Sequence, residues 1–195
     1  MNRMTFRGGL WPLIVLVLAC VQGAVTSSGQ TAAPAQTPPP ATEYPNLNAQ
    51  AKEYLDGFVQ KDLKKILKFT LPKVIDYFGG QGSFVMHLKT ELRADDVDGF
   101  SYVSYTAETP SQIIKTAPEI YAVVPTAARI KTTEGVFQAR GCLLAASSDN
   151  GNNWTYVWVS GKNKKLDETL KVWLPNAAGK LEPCEETPPV RVDKE

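Results

Sequence analysis

Residues 121–161 read YAVVPTAARIKTTEGVFQARGCLLAASSDNGNNWTYVWVSG. The run is rich in β-branched and aromatic side chains, and turn formers cut it twice, at Thr133-Glu134-Gly135 and at Asp149-Asn150-Gly151-Asn152. This punctuation predicts three antiparallel strands, over 120–133, 136–148 and 153–161. Pro125 cannot donate to a ladder, so it predicts a bulge, a bend or an edge within the first strand. Side chains alternate across a strand. Phe137, Ala139, Gly141 and Leu143 therefore share the face read as the core side, and Gln138, Arg140 and Cys142 share the other. Trp154, Tyr156 and Trp158 likewise lie together, opposite Thr155, Val157 and Val159. Three rings on one side suit a core, a ligand platform or a dimer surface, and the pattern leaves all three open.

Upstream, FSYVSYTAE (100–108) alternates like a further strand, and Ile113-Ile114 reads as a short strand or a loop anchor. Before it the period changes. Leu47, Ala51, Tyr54, Leu55, Phe58 and Val59 make a helical stripe, with Asn46 or Asn48 as its cap. Leu63, Ile66 and Leu67 mark a short second helix behind Asp62, and Pro72 interrupts it. Val74 to Phe78 gives another turn or two, ended by Gly79-Gly80. SFVMHLKTELR (83–93) is a third helical face through Phe84, Leu88 and Leu92, capped by Ser83 and closed by a turn at Asp95-Asp96. Asp167 to Leu174 is a short final helix, stopped by Pro175. Helices first and strands after them predict an α+β domain, with N-terminal helices packed in a curved antiparallel sheet.

The ends read differently. Arg3 and Arg7 precede the apolar run LWPLIVLVLAC, Leu10 to Cys20. A membrane span needs roughly 20 residues; this shorter run fits a secretory signal peptide over 1–23. Val17-Leu18-Ala19-Cys20 also reads as a lipobox, in which Cys20 would carry lipid. The chain is expected to be exported, periplasmic or secreted, and any membrane attachment would run through that lipid. Residues 24–45 are rich in Pro, Ala and Thr and read as a disordered linker. Residues 177–195 read as a disordered tail. The stretch between them, 46–176, is one domain by length. Cys142 and Cys184 would pair in an oxidising compartment, or Cys142 would stay a buried thiol. A formal net charge of +1, with dispersed basic residues, argues against a nucleic-acid groove.

An opening amphipathic helix, a short helix ending LPKVIDYFGG, a third helix and long strands joined by tight turns resemble the nuclear transport factor two-like cone, the cystatin-like α+β cone. The strand run of 121–161 is similar to that of uncharacterised exported bacterial members. In that superfamily the sheet wraps a long helix and leaves an open mouth. Ketosteroid isomerase, scytalone dehydratase and SnoaL-type polyketide cyclases work inside it, while other members bind ligands or dimerise through the sheet. The resemblance thus implies a fold without fixing an activity.

The residues narrow the choice. Isomerase or dehydratase chemistry needs a carboxylate or imidazole with a perturbed pKa in an apolar pocket. The strand acids Glu108, Glu119 and Glu134 fall at ends or turns, where solvation is the default. That leaves Asp76, Tyr77 and His87 as catalytic candidates; His87 is the sole histidine. One histidine without a cysteine cluster builds no histidine-based metal site, and no metal or cofactor is expected. Tyr54, Tyr121, Arg140 and Trp158 are the candidate ligand contacts, Arg140 suiting an anion if it points inward. The reading is an exported, non-catalytic domain that binds a small molecule or a partner, as a homodimer through its sheet in one version. The alternative is a small isomerase or dehydratase using the cone.

Ser147-x-Asp149-x-Gly151-x-x-Trp154 matches the spacing of the Asp box of sialidase propellers. A propeller needs many blades, and one copy in about 130 residues cannot supply them. The motif is therefore read as a turn: Asp149 accepts loop amides, Gly151 takes positive φ and Trp154 anchors the next strand.

Overall fold

The computed structural model describes residues 43–159, 164–185 and 187–192. The signal-peptide reading, Cys20 and nearly all of the linker lie outside the described residues. Four helices come first: α1 (Pro45–Gln60), α2 (Leu63–Phe69), α3 (Pro72–Tyr77) and α4 (Gln81–Val97). Strands β1 (Ser101–Ala107), β2 (Gln112–Thr116), β3 (Glu119–Thr132), β4 (Gly135–Ser147) and β5 (Thr155–Val159) follow, then α5 (Lys164–Trp173) and β6 (Val190–Arg191). The fold is α+β, helices then an antiparallel sheet, as the order of sequence patterns predicts.

Helix ends follow local chemistry. Pro45 opens α1, where its missing N–H removes a donor that would have no helical partner. The start therefore falls one residue before Asn46, and neither asparagine caps it. Asp62 caps α2 by accepting from the amides of Lys64 and Lys65 at 3.0 and 3.1 Å, worth about 1 kcal/mol. Gly80, not Ser83, sits at the N-cap of α4. That helix runs on through Asp95 and Asp96, which the sequence reading placed in a turn.

The sheet order is β1-β3-β4-β5, with β2 also on β3 and β6 also on β4. β3 carries β1 along residues 126–131 and β2 along 119–123. Pro125 falls in the gap between them. Its carbonyl accepts from Glu108 N at 2.8 Å on that side. In an antiparallel strand a residue's N and O point the same way, so the absent N–H faces the gap and no ladder bond is lost. Pro125 is an edge position inside a central strand, which keeps its pairing to Cys142. The Ile113-Ile114 pair is a true strand, opposite Ala122 and Tyr121.

Register sorts side chains onto two faces. The inner face carries Ala128, Ile130, Phe137, Ala139, Leu143, Ala145, Tyr156 and Trp158. Helix α1 packs here: the Tyr54 and Tyr156 rings stack with centroids 5.6 Å apart. The outer face carries Arg129, Gln138, Arg140, Cys142, Leu144 and Val157. Residues 142–145 are all buried, so this part of β4 is covered on both sides.

The outer cover is the C-terminal segment, which corrects the expectation of a disordered tail. Ala177 and Leu181 are buried. Gln112 donates to Lys180 O at 2.9 Å and accepts from Glu182 N at 2.9 Å. Asn176 donates to Glu119 at 2.8 Å. Val190 and Arg191 add a short strand beside Gln138 and Phe137. Apolar Ala177 and Leu181 supply the burial that a charged, proline-rich composition conceals. At the other end, Glu43 pairs with Lys115 at 2.5 Å and the Tyr44 ring meets Trp154 edge-on at 5.6 Å. The folded unit thus begins ahead of Asn46.

Candidate functional site

The inner face has two unlike halves. Toward the β4–β5 turn it is filled by Leu47, Ala51, Tyr54, Leu55 and Phe58 from α1 against Val124, Leu143 and Tyr156. Tyr156 donates its hydroxyl to Leu47 O at 2.6 Å. Burial pushes the phenols of Tyr54 and Tyr156 above their ordinary range, so they stay neutral.

Toward the β3–β4 turn a smaller cluster forms from Phe100, Ala128, Ile130 and Ala139. Tyr102 and Tyr105 pack on it with ring centroids 4.9 Å apart, across a ladder where Tyr105 stands opposite Ala128. Both tyrosines are half-buried. Burial raises their phenols most, and the carboxylate of Asp95 raises both further. Asp95 lies on the last turn of α4 and is 2 % exposed. This end of the inner face therefore holds a buried acid beside two neutral phenols that hydrogen-bond to each other. Raised phenols are weak acids and poor general bases at neutral pH; the hydrogen-bonded hydroxyls form a pair suited to meeting the polar tip of a ligand.

Asp95 escapes the sequence reading because Asp95-Asp96 resembles a helix-ending turn. A signal was present: Phe84, Leu88, Leu92 and Asp95 follow helical spacing of four, four and three, which puts Asp95 on the buried stripe.

The proposed catalytic trio lies elsewhere. Asp76 and Tyr77 are exposed on α3, and Tyr77 meets Trp173 edge-on at 5.9 Å. His87 stacks on Phe78 at 4.5 Å, with Nδ1 4.0 Å from Glu91. It sits eight residues before Asp95, roughly 12 Å along the helix. Histidine and buried acid do not converge.

The candidate ligand contacts separate as well. Tyr54 is core. Tyr121 is buried on the outer face, its hydroxyl on Glu119 beneath the C-terminal segment. Arg140 points outward, exposed, 3.6 Å from Glu108. Trp158 alone of the four is both on the inner face and half-buried. Its indole donates to Thr126 Oγ1 at 3.3 Å, over Gly141, where an added Cβ would come within 2.8 Å of the ring.

The Asp-box turn is built from its own motif. The Asp149 carboxylate accepts from Asn153 N at 2.9 Å, Asn153 Nδ2 at 2.6 Å and Ser147 Oγ at 2.9 Å. Those hydrogen bonds hold its carboxyl below the ordinary value. Gly151 has φ of 84°, and a Cβ there would lie 2.2 Å from the Tyr44 ring. The turn also seats α1: Asn46 and Gln50 donate to Asn152 O, and Gln50 accepts from Trp154 N at 2.8 Å.

Among the described residues no group of His, Cys, Asp and Glu could hold a metal ion, and no helix is long and apolar enough to cross a membrane. No family model matches the chain, and no curated protein matches it. A search of solved structures returns a nuclear transport factor two-like protein of unknown function from Burkholderia pseudomallei, with 13 % identity over 65 % of this chain and 95 % of that one. Its TM-score of 0.30 is too low to support more.

Proposed function

We propose that this chain is an exported, non-catalytic binding domain whose small-molecule site is the tyrosine end of the inner face. The observation that carries this reading is the placement of Tyr102 and Tyr105, a half-buried, neutral, hydrogen-bonded pair, beside the buried Asp95. A ligand with an apolar body and a polar tip fits such surroundings, the rings covering the body and the hydroxyls taking the tip. The exposure of Asp76 and Tyr77, and the distance of His87 from the buried Asp95, weigh against the isomerase or dehydratase alternative. The leader-like residues 1–23 support export, and a lipid on Cys20 would add a membrane anchor.

Native mass spectrometry of the full chain purified from its own host tests this. The expected result is a retained small molecule that is lost in Tyr102→Phe/Tyr105→Phe and kept in Asp76→Asn and His87→Gln. Retention in the tyrosine variant, with loss in the His87 variant, would overturn it in favour of an enzyme. The same spectrum reports cleavage after residue 23 or lipid on Cys20.

A homodimer through the sheet is a second reading, favoured by the uncovered half of the outer face, where Arg129, Lys131 and Arg140 are exposed. Self-pairing there would oppose like charges, so added salt should strengthen it. Sedimentation that stays monomeric at every concentration and salt would exclude it.

A further inference from the structure

The tail crosses the outer face at one chemically distinctive point. Cys184 N donates to Cys142 Sγ at 3.1 Å, bridging 42 positions of sequence. Both cysteines are thiols. Cys142 is wholly buried mid-strand, whereas Cys184 is half-exposed. We propose that this pair is a redox site at which a disulfide oxidant closes a Cys142–Cys184 cross-link, strapping residues 174–184 onto the sheet.

The roles of the two sulfurs differ. Cys184 can be reached from solvent, and its hydrogen bond with the Cys142 thiol lowers its pKa. The same hydrogen bond, and then burial, push the Cys142 thiol up. Thiolate at the accessible sulfur is the attacking species. Cys184 attacks a disulfide such as oxidised glutathione, forming a mixed disulfide and expelling one glutathione thiolate, which takes up the proton that Cys184 lost. Cys142 then gives up its proton and attacks the Cys184 sulfur, and the second glutathione leaves as thiolate and is protonated. Two electrons and two protons pass from the protein pair to the oxidant, which ends as two thiols. Burial blocks the reverse assignment, since no glutathione-sized disulfide reaches Cys142 directly.

Each end of the link is already held. Gln112 pins Lys180 and Glu182, and Leu181 is buried beside them, so closing the bond orders little new chain. The bond would act mainly on the unfolded state, which loses loop-closure entropy.

The full chain carrying Cys20→Ser, which keeps two thiols, should be incubated with oxidised glutathione and mapped by non-reducing peptide mass spectrometry. The expected product is one cross-linked peptide pair joining Cys142 to Cys184, with the intact mass reduced by two hydrogens. The melting temperature should rise by roughly 5–15 °C and return on adding dithiothreitol. Cys184→Ser removes the rise and leaves Cys142 unmodified by the oxidant. Two thiols that stay alkylatable after oxidation, or a stable glutathione adduct on Cys184 with no cross-link, would overturn the proposal. So would a glutathione adduct on Cys142 in the Cys184→Ser chain, because the buried sulfur would then be directly accessible.

Discussion

Arg140 and Cys142 stand two residues apart on the same face of β4, yet one is exposed and the other wholly buried. The backbone does not distinguish them; both lie in an unbroken ladder with β3. The difference is what lies above. From Cys142 onward the C-terminal segment covers the outer face, and before it nothing among the described residues does so to the same extent. One sheet thus has a covered end, sealed by helices inside and the tail outside, and an uncovered end whose outer face is charged. The turns differ in the same sense. Asn152 and Trp154 tie the β4–β5 turn into α1, while the β3–β4 turn rests on Thr132, whose Oγ1 donates to Gly135 O and accepts from Glu134 N.

If cover sets the energetics, the largest effect belongs to Leu144, fully buried on the outer face beside Val123 and Val157. Leu144→Ala should cost about 2–5 kcal/mol, read from urea unfolding. A cost near that of a surface substitution would mean that the C-terminal cover is not in place in solution.

A smaller effect is expected at Asp149, and it carries a pH signature. Its carboxyl is held below the ordinary 3.8 by hydrogen bonds from Asn153 and Ser147. A depressed folded pKa stabilises above the unfolded value and loses that stabilisation as pH falls through the folded one. Asp149→Ala should therefore lower the melting temperature at neutral pH, and the gap to wild type should close below about pH 4. Ligand retention should be unchanged, because this turn lies at the opposite end of the inner face from Tyr102 and Tyr105. Loss of ligand without loss of stability would restore a functional reading of the Asp box.

The two ends also differ in how legible they were. The strands, their turns and the core side of β4 follow from alternation, since period two fixes a face once any residue is placed. The unbroken apolar run Cys142-Leu143-Leu144-Ala145 already signalled cover on both faces, whereas strict alternation around Arg140 signalled one. What supplies the cover was not legible. Ala177 and Leu181 are sparse in a segment dominated by charge and proline, and a tail docks through long-range contacts that local composition does not encode. Asp95 was lost for a related reason: two aspartates together look like a turn, and only its place on the helical stripe indicates burial. His87 stands out by residue type alone, and type without position does not show that it stacks on Phe78, eight residues before the buried acid.

The smallest effect belongs to Arg140, and it discriminates most finely. Its partner Glu108 is 3.6 Å away, and both side chains are largely exposed. Solvent and salt screen such pairs, so Arg140→Ala should change stability by no more than about 0.5 kcal/mol. The substitution still tests what the uncovered end is for. An isolated domain with a bare sheet face would not register the change in either stability or sedimentation. If two copies meet on that face, removing one of three exposed cations from each should tighten the dimer at low salt, because it relieves like-charge opposition. Weakened association would instead place Arg140 in an ion pair across the interface, most simply with Glu108 of the second copy.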